Sequence, residues 1–196
     1  MKYLLITLFF SLMSLQAAVE NGAKAPDFTL VNELGKEVKL SDYKGKTVVL
    51  EWYNKDCPFV RKHYESNNMQ RLQKKWTDKD VVWLSIISSA EGKQGYLTQD
   101  EAKADKKSSG SSATSILLDP KGNVGKMYDA KTTPHMYVIA KTGELLYQGA
   151  IDSNSSYDPA VIPKSKNYVD EVLAKVSSGK NVKPASTKAY GCSVKY

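Results

Sequence analysis

Hydrophobic and polar positions along the chain switch repeatedly between a strand-like and a helix-like spacing. Phe28 to Leu30 and Val38 to Leu40 flank N-E-L-G-K-E and predict a small hairpin. Thr47 to Tyr53, T-V-V-L-E-W-Y, is β-branched and apolar enough for a buried strand. From Cys57 onward, Phe59, Val60, His63 and Tyr64 fall on one helical face. S-N-N, Ser66 to Asn68, interrupts that helix before Leu72 and Trp76 resume it. Val81 to Ser88 predicts a second buried strand. Thr98, followed by an acid at Glu101, opens a helix with a capping pair. Ile116 to Leu118 make a short third strand, and M-Y-V-I-A with E-L-L-Y-Q-G, separated by K-T-G, form a closing hairpin. Tyr168 to Val176 gives the last helix, ended by Gly179. S-S-G-S-S, Ser108 to Ser112, reads as a flexible loop. The alternation implies an α/β chain with a mixed sheet covered by helices on both faces.

The tail beyond Gly179 has its own pattern. Tyr190, Cys192, Val194 and Tyr196 share one side, and Gly191, Ser193 and Lys195 the other. A period of two predicts an extended segment that docks one apolar face.

The chain of 196 residues suits one domain. Its formal charge of +7 comes from lysines dispersed among acids, with clusters no longer than pairs such as Lys74-Lys75 and Lys106-Lys107. No nucleic-acid motif accompanies them, so solvated surface is expected and a nucleic-acid partner is not. The opening M-K-Y-L-L-I-T-L-F-F-S-L-M-S-L-Q-A-A has a basic start, a short apolar run and small residues near Ala17 and Ala18. That pattern predicts a cleaved signal peptide at 1–18, a domain over 19–179 and a tail over 180–196. A periplasmic or secreted protein follows, without stable membrane insertion after cleavage, in a compartment that permits disulfides.

Only two cysteines are present, Cys57 in N-K-D-C-P-F-V-R and Cys192 in the tail. A helix start favours a thiolate through unpaired N–H groups, and Pro58 at the first turn costs no hydrogen bond there. Lys55, Arg61, Lys62 and His63 place positive charge nearby, opposed by Asp56. Glu51, between Leu50 and Trp52, is expected to be buried, with a raised pKa suited to proton transfer. His63 and His135 supply too few ligands with Cys57 for a metal site, and no cofactor is called for. The tail can extend about 40 Å from Gly179, which brings Cys192 within reach of Cys57. A permanent bridge across so long a loop is worth about 5 kcal/mol in the chain-entropy model, so a structural staple stays open as an alternative.

V-V-L-E-W-Y-N-K-D-C-P-F-V-R resembles the active-site segment of the thioredoxin superfamily, where an apolar strand carrying an acid runs into a C-x-x-C at a helix start. K-T-T-P-H-M-Y-V-I resembles the segment bearing that family's cis-proline. A-P-D-F-T-L with G-K-E-V-K-L-S-D-Y-K-G-K resembles the entry hairpin of secreted redoxins and of the peroxiredoxin-like (alkyl hydroperoxide reductase–thiol-specific antioxidant) proteins. The resemblance spans roughly Gly22 to Ser178 and implies a thioredoxin-like fold with an N-terminal β-hairpin. It makes Cys57 the nucleophile, Glu51 the buried proton-handling acid, and Thr133, Pro134 and Pro58 the substrate groove. Two departures matter. Val60 stands where the second cysteine of C-x-x-C would be. Asn54 and Leu50 replace the Thr and Pro of the peroxidase signature, leaving Arg61 as the arginine nearest Cys57 in sequence. The expected function is thiol–disulfide exchange, with Cys192 or an external thiol resolving the intermediate. Protein or small-molecule disulfides and thiols would be substrates, with an external reductant. The alternatives are a peroxiredoxin-like peroxidase and a non-catalytic binding module stapled by Cys57 and Cys192.

Overall fold

The computed structural model describes residues 19–196, so the segment read as a signal lies outside the described residues. The N-terminal hairpin pairs β1 (Thr29–Asn32) with β2 (Glu37–Lys39). Gly35, at φ +74°, supplies the left-handed residue its turn requires. β3 (Val48–Trp52) leads through a short turn into α1 (Pro58–Glu65), and α2 (Asn68–Thr77) follows at once. The break between the two helices is Asn67, held at φ 56°. β4 (Val82–Ile87), α3 (Gln99–Ser108) and β5 (Ser115–Leu118) complete a parallel β3-β4-β5 core. The α3 start carries the expected box, in which the Thr98 side chain accepts from the Glu101 N–H and Glu101 accepts from the Thr98 N–H.

A short helix, α4 (Asn123–Met127), precedes the two-residue strand β6 (Thr132–Thr133). The closing hairpin is β7 (His135–Ile139) with β8 (Leu145–Gly149), and α5 (Tyr168–Ser177) packs behind it. The tail adds β9 (Ala185–Ser186) and β10 (Cys192–Ser193). The main sheet runs β2-β1-β5-β4-β3-β7-β8-β9, and β10 pairs with β6 in a separate small sheet. The sequence pattern did not announce α4, β6 or β9. A five-residue helix with a central glycine and two-residue strands are too short to show a period.

Two cores flank the sheet, because alternate residues of β3 face opposite ways. Val48, Leu50 and Trp52 point to the layer with Phe28, Val124, Tyr128 and Tyr137, which α4 and the N-terminal segment cover. Val49 lies in the other layer, with Tyr53, Cys57, Val60, Trp76, Trp83 and Leu173 beneath α1, α2, α3 and α5. Every residue of β3 and β4 is buried, which is why both strands read as apolar runs broken only by Glu51 and Ser85. The S-S-G-S-S loop is tied down. Ser111 Oγ and the Ser112 N–H both donate to Gln73 Oε1, at 3.1 and 2.9 Å.

Candidate active site

The turn after β3 sets the cysteine. Tyr53 N–H donates to the Ile86 carbonyl, which holds the strand end against β4. Asn54, 1% exposed, then organises the corner: its side-chain oxygen accepts from the Asp56 N–H at 2.9 Å and its carbonyl from the Cys57 N–H at 3.1 Å. Cys57 is the N-cap of α1, in extended conformation, and its carbonyl accepts the Val60 and Arg61 N–H groups. Pro58 takes the first helical position, where its missing N–H leaves nothing unpaired.

Cys57 is fully buried, and its thiol donates to the Thr133 carbonyl at 2.9 Å. The Thr133–Pro134 peptide is cis and lies at the junction of β6 and β7. β10 pairs antiparallel with β6, with Cys192 opposite Thr133 and Ser193 opposite Thr132. Gly191 lies so close to the Thr133 carbonyl that a Cβ there would overlap its oxygen. The structure therefore brings Cys57, Pro58, Thr133, Pro134 and Cys192 together.

The two thiols differ in acidity. Burial pushes Cys57 up, but hydrogen bonds from the Cys192 thiol and its N–H, from Thr133 and from the Val60 N–H outweigh it. The thiol ends below the ordinary cysteine value. The Thr133 hydroxyl is buried with no hydrogen-bond partner among the described residues, so it is available to a thiolate at Cys57. Cys192 is pushed up, by burial first and then by its contact with Cys57. The pair titrates as a unit, with Cys57 the member that ionises first.

The positive charges counted near Cys57 in the sequence are not aimed at it. Lys55 pairs with Asp56, and Arg61 pairs with Glu65 at 2.7 Å on the exposed side of α1. Lys62 is buried beneath the helix, 3.3 Å from Asp152 and donating to the Asn154 carbonyl at 2.8 Å. His63 is also buried; desolvation lowers its pKa to about 4, so the ring is neutral near pH 7. The sequence missed this cluster because its members are far apart in the chain: Lys62 and His63 from α1, Asp152, and Tyr190 from the tail. The Tyr190 hydroxyl donates to Asp152 and sits 3.3 Å from His63 Nε2 and 3.4 Å from Lys62 Nζ.

Glu51 is fully buried and accepts four hydrogen bonds. Tyr64 OH reaches one oxygen at 3.0 Å. Trp83 Nε1 at 2.8 Å, Ser85 Oγ at 3.0 Å and Gln73 Nε2 at 3.2 Å reach the other. Burial raises its pKa, and the four bonds offset only part of that rise. None of these partners is a thiol. His135, beside Pro134, is desolvated to a pKa of about 4 and takes the Lys131 N–H on Nδ1 at 3.3 Å.

The AhpC/TSA family model matches residues 21–148. The chain belongs to the AhpC/TSA family. Thioredoxin-like protein YneN of Bacillus subtilis is 31% identical over 128 residues, covering 65% of this chain and 70% of the relative. Thiol-disulfide oxidoreductase ResA of Bacillus cereus is 24% identical over 144 residues, covering 72% of this chain and 76% of the relative. In structure, an uncharacterized conserved protein from Geobacillus kaustophilus superposes with a TM-score of 0.76 at 25% identity. That match covers 90% of this chain and 92% of the other. The thioredoxin-like fold expected from the resemblance is thereby established; Val60, Asn54 and Leu50 stand at the positions where the sequence departs from the two signatures it resembles.

Proposed function

We propose that this protein is a thiol–disulfide oxidoreductase in which Cys57 is the nucleophile and Cys192 the resolving thiol. The observation that carries the reading is the pairing of β10 with β6, which sets Cys192 opposite Thr133, the residue whose carbonyl accepts from the Cys57 thiol. The Cys57 thiolate attacks one sulfur of a substrate disulfide, forming a mixed disulfide and releasing the other half as a thiolate, which takes up a proton. Cys192 then gives its proton to the departing second thiolate as its own sulfur attacks Cys57. The substrate gains two electrons, and a Cys57–Cys192 disulfide remains. An external thiol reductant returns the pair to two thiols by the reverse exchange.

Thr133 and Pro134 form the wall against which the substrate sulfur lies, with Pro58 at its helix side. Thr133 also steadies the thiolate. Glu51 has no hydrogen bond to either sulfur, so in this reading it acts as a positioning residue, holding α1 through Tyr64. Peroxide chemistry is disfavoured because the Arg61 guanidinium is engaged by Glu65 and Asn54 is spent on the turn. We place the reaction outside the cytoplasm, on the strength of the signal-like pattern at 1–18. We treat 19–179 as the catalytic domain, with 180–196 as a tail that belongs to its site. Among the described residues no helix is long and apolar enough to cross a membrane.

Trapping tests the reading. Cys192→Ser should accumulate mixed disulfides on Cys57 when offered a disulfide substrate, whereas Cys57→Ser should accumulate none. A Cys192→Ser protein that forms no adduct, or wild-type thiols that resist exchange with mild disulfides, would overturn it. Stopped-flow oxidation by hydrogen peroxide should run near the rate of an ordinary free thiol.

A further inference from the structure

The tail does more than deliver a cysteine. β6 is two residues long and contributes one carbonyl, that of Thr133, to the Cys57 thiol. β10 occupies the backbone edge of β6. An extended segment that pairs with this edge of Thr132–Thr133 must take the place of β10. Cys57 itself has no exposed surface.

The strap is fastened on both sides of Cys192. After it, the Val194 N–H donates to the Lys131 carbonyl at 3.1 Å, and the Lys195 carbonyl accepts from the Ala90 N–H at 2.7 Å. The Tyr196 ring fills the space left by Gly122 and Gly125, and its hydroxyl donates to the Ala130 carbonyl at 2.7 Å. Before it, Tyr190 enters the buried Lys62–Asp152–His63 cluster and lays its ring 5.8 Å from that of Phe59. A two-residue ladder is a weak clasp by itself. A hydroxyl donating to a buried carboxylate is a strong one.

We propose that residues Tyr190–Tyr196 are an intramolecular strap seated on the edge where an extended, cysteine-bearing peptide substrate would pair, and that Tyr190 is the positioning residue that pins it over Cys57. This inference rests on the thiol-exchange reading and deepens it: substrate entry requires the strap to lift, and the closed strap sets Cys192 on Cys57 for resolution. Opening is local. It breaks the β10 pairing and the tyrosine contacts and leaves the eight-stranded sheet untouched.

The test measures alkylation of Cys57 by iodoacetamide in the single-thiol Cys192→Ser protein, with and without Tyr190→Phe, followed by mass spectrometry. Losing the hydroxyl bond to Asp152 while keeping the ring should speed alkylation about tenfold or more, since reaction through local opening follows the opening equilibrium. Tyr196→Phe, on the far side of Cys192, should speed it by a smaller factor, and it decides the matter if Tyr190→Phe does not fold. Equal rates in all three proteins would overturn the strap. So would an equal acceleration by Leu173→Val, a core change in α5 outside the strap, because Tyr190 would then act only through global stability. Incubation of the same proteins with oxidised glutathione separates the two ideas. Faster alkylation without any mixed disulfide removes the exchange reading and leaves the strap. Mixed disulfides forming equally fast with and without Tyr190→Phe remove the strap and leave exchange.

Discussion

Glu51 gives the sharpest test of how the site is held. Its carboxylate accepts from Tyr64, Gln73, Trp83 and Ser85, all at 2.8 to 3.2 Å in a buried setting. Glu51→Ala strands these donors and opens a cavity between β3 and α2. Each buried donor left unpaired costs about 1–3 kcal/mol. Even after the relief of removing a buried charge, the loss should reach ~4 kcal/mol, a large part of a typical stability of about 5–15 kcal/mol. Glu51→Gln keeps the volume and one acceptor. Its oxygen can serve the Trp83, Ser85 and Gln73 side, while the Tyr64 hydroxyl turns to accept from the new amide. That change should cost about 1–2 kcal/mol. The pH dependence adds a signature. Burial holds the Glu51 carboxyl above its ordinary value, so the native state binds this proton more tightly than the unfolded chain. Wild-type stability should therefore climb relative to Glu51→Gln as the pH falls from the folded value toward the ordinary value of about 4.3. Urea unfolding of the three proteins between pH 4.5 and pH 8, with unchanged denaturant slopes, measures both effects. A Glu51→Ala loss below about 1 kcal/mol, or parallel pH profiles for wild type and Glu51→Gln, would refute the reasoning.

Three further outcomes follow from the same geometry. Lys62→Met leaves the Asp152 carboxylate buried without its cation and should cost about 3–5 kcal/mol in urea melts, with Lys62→Met/Asp152→Leu recovering part of it; a smaller loss for the single change would show that the pair is not sealed from water. His63 and His135, both depressed to about 4, are held neutral in the fold. Their contribution is complete above about pH 6.5 and is lost as the pH falls toward 4, up to ~3 kcal/mol each, and His63→Gln should flatten half of that acid limb. Cys57 alkylation should rise with pH through a midpoint below the ordinary cysteine value of about 8.5, and Cys192→Ala, which removes the side-chain donor, should move that midpoint upward; a midpoint unmoved by the substitution would mean that Cys192 does not act on the thiolate.

The division of labour between sequence and tertiary structure shows in particular residues. The sequence by itself determined whatever depends on neighbours a few positions away. The apolar run at Thr47 to Tyr53 could only be an interior strand, Cys57-Pro58 had to stand at a helix start, and Thr98 with Glu101 had to cap α3. The alternation of Tyr190, Cys192, Val194 and Tyr196 announced an extended, docked tail. The tertiary structure decided what those elements meet. Lys62 looked like one more charge beside the thiol, yet its register on α1 turns it inward to Asp152, with the tail's Tyr190 completing the cluster. The partners of Glu51 come from 13 to 34 positions away, on α1, α2 and β4, and no local pattern names them. The tail's period of two showed that it was extended but not where it lay. Its place beside Thr133 is set by a free strand edge, a glycine that admits close approach and a buried carboxylate that accepts Tyr190. Periodicity follows from bonds along the chain, whereas these choices follow from pairing between segments that only the completed fold brings within reach.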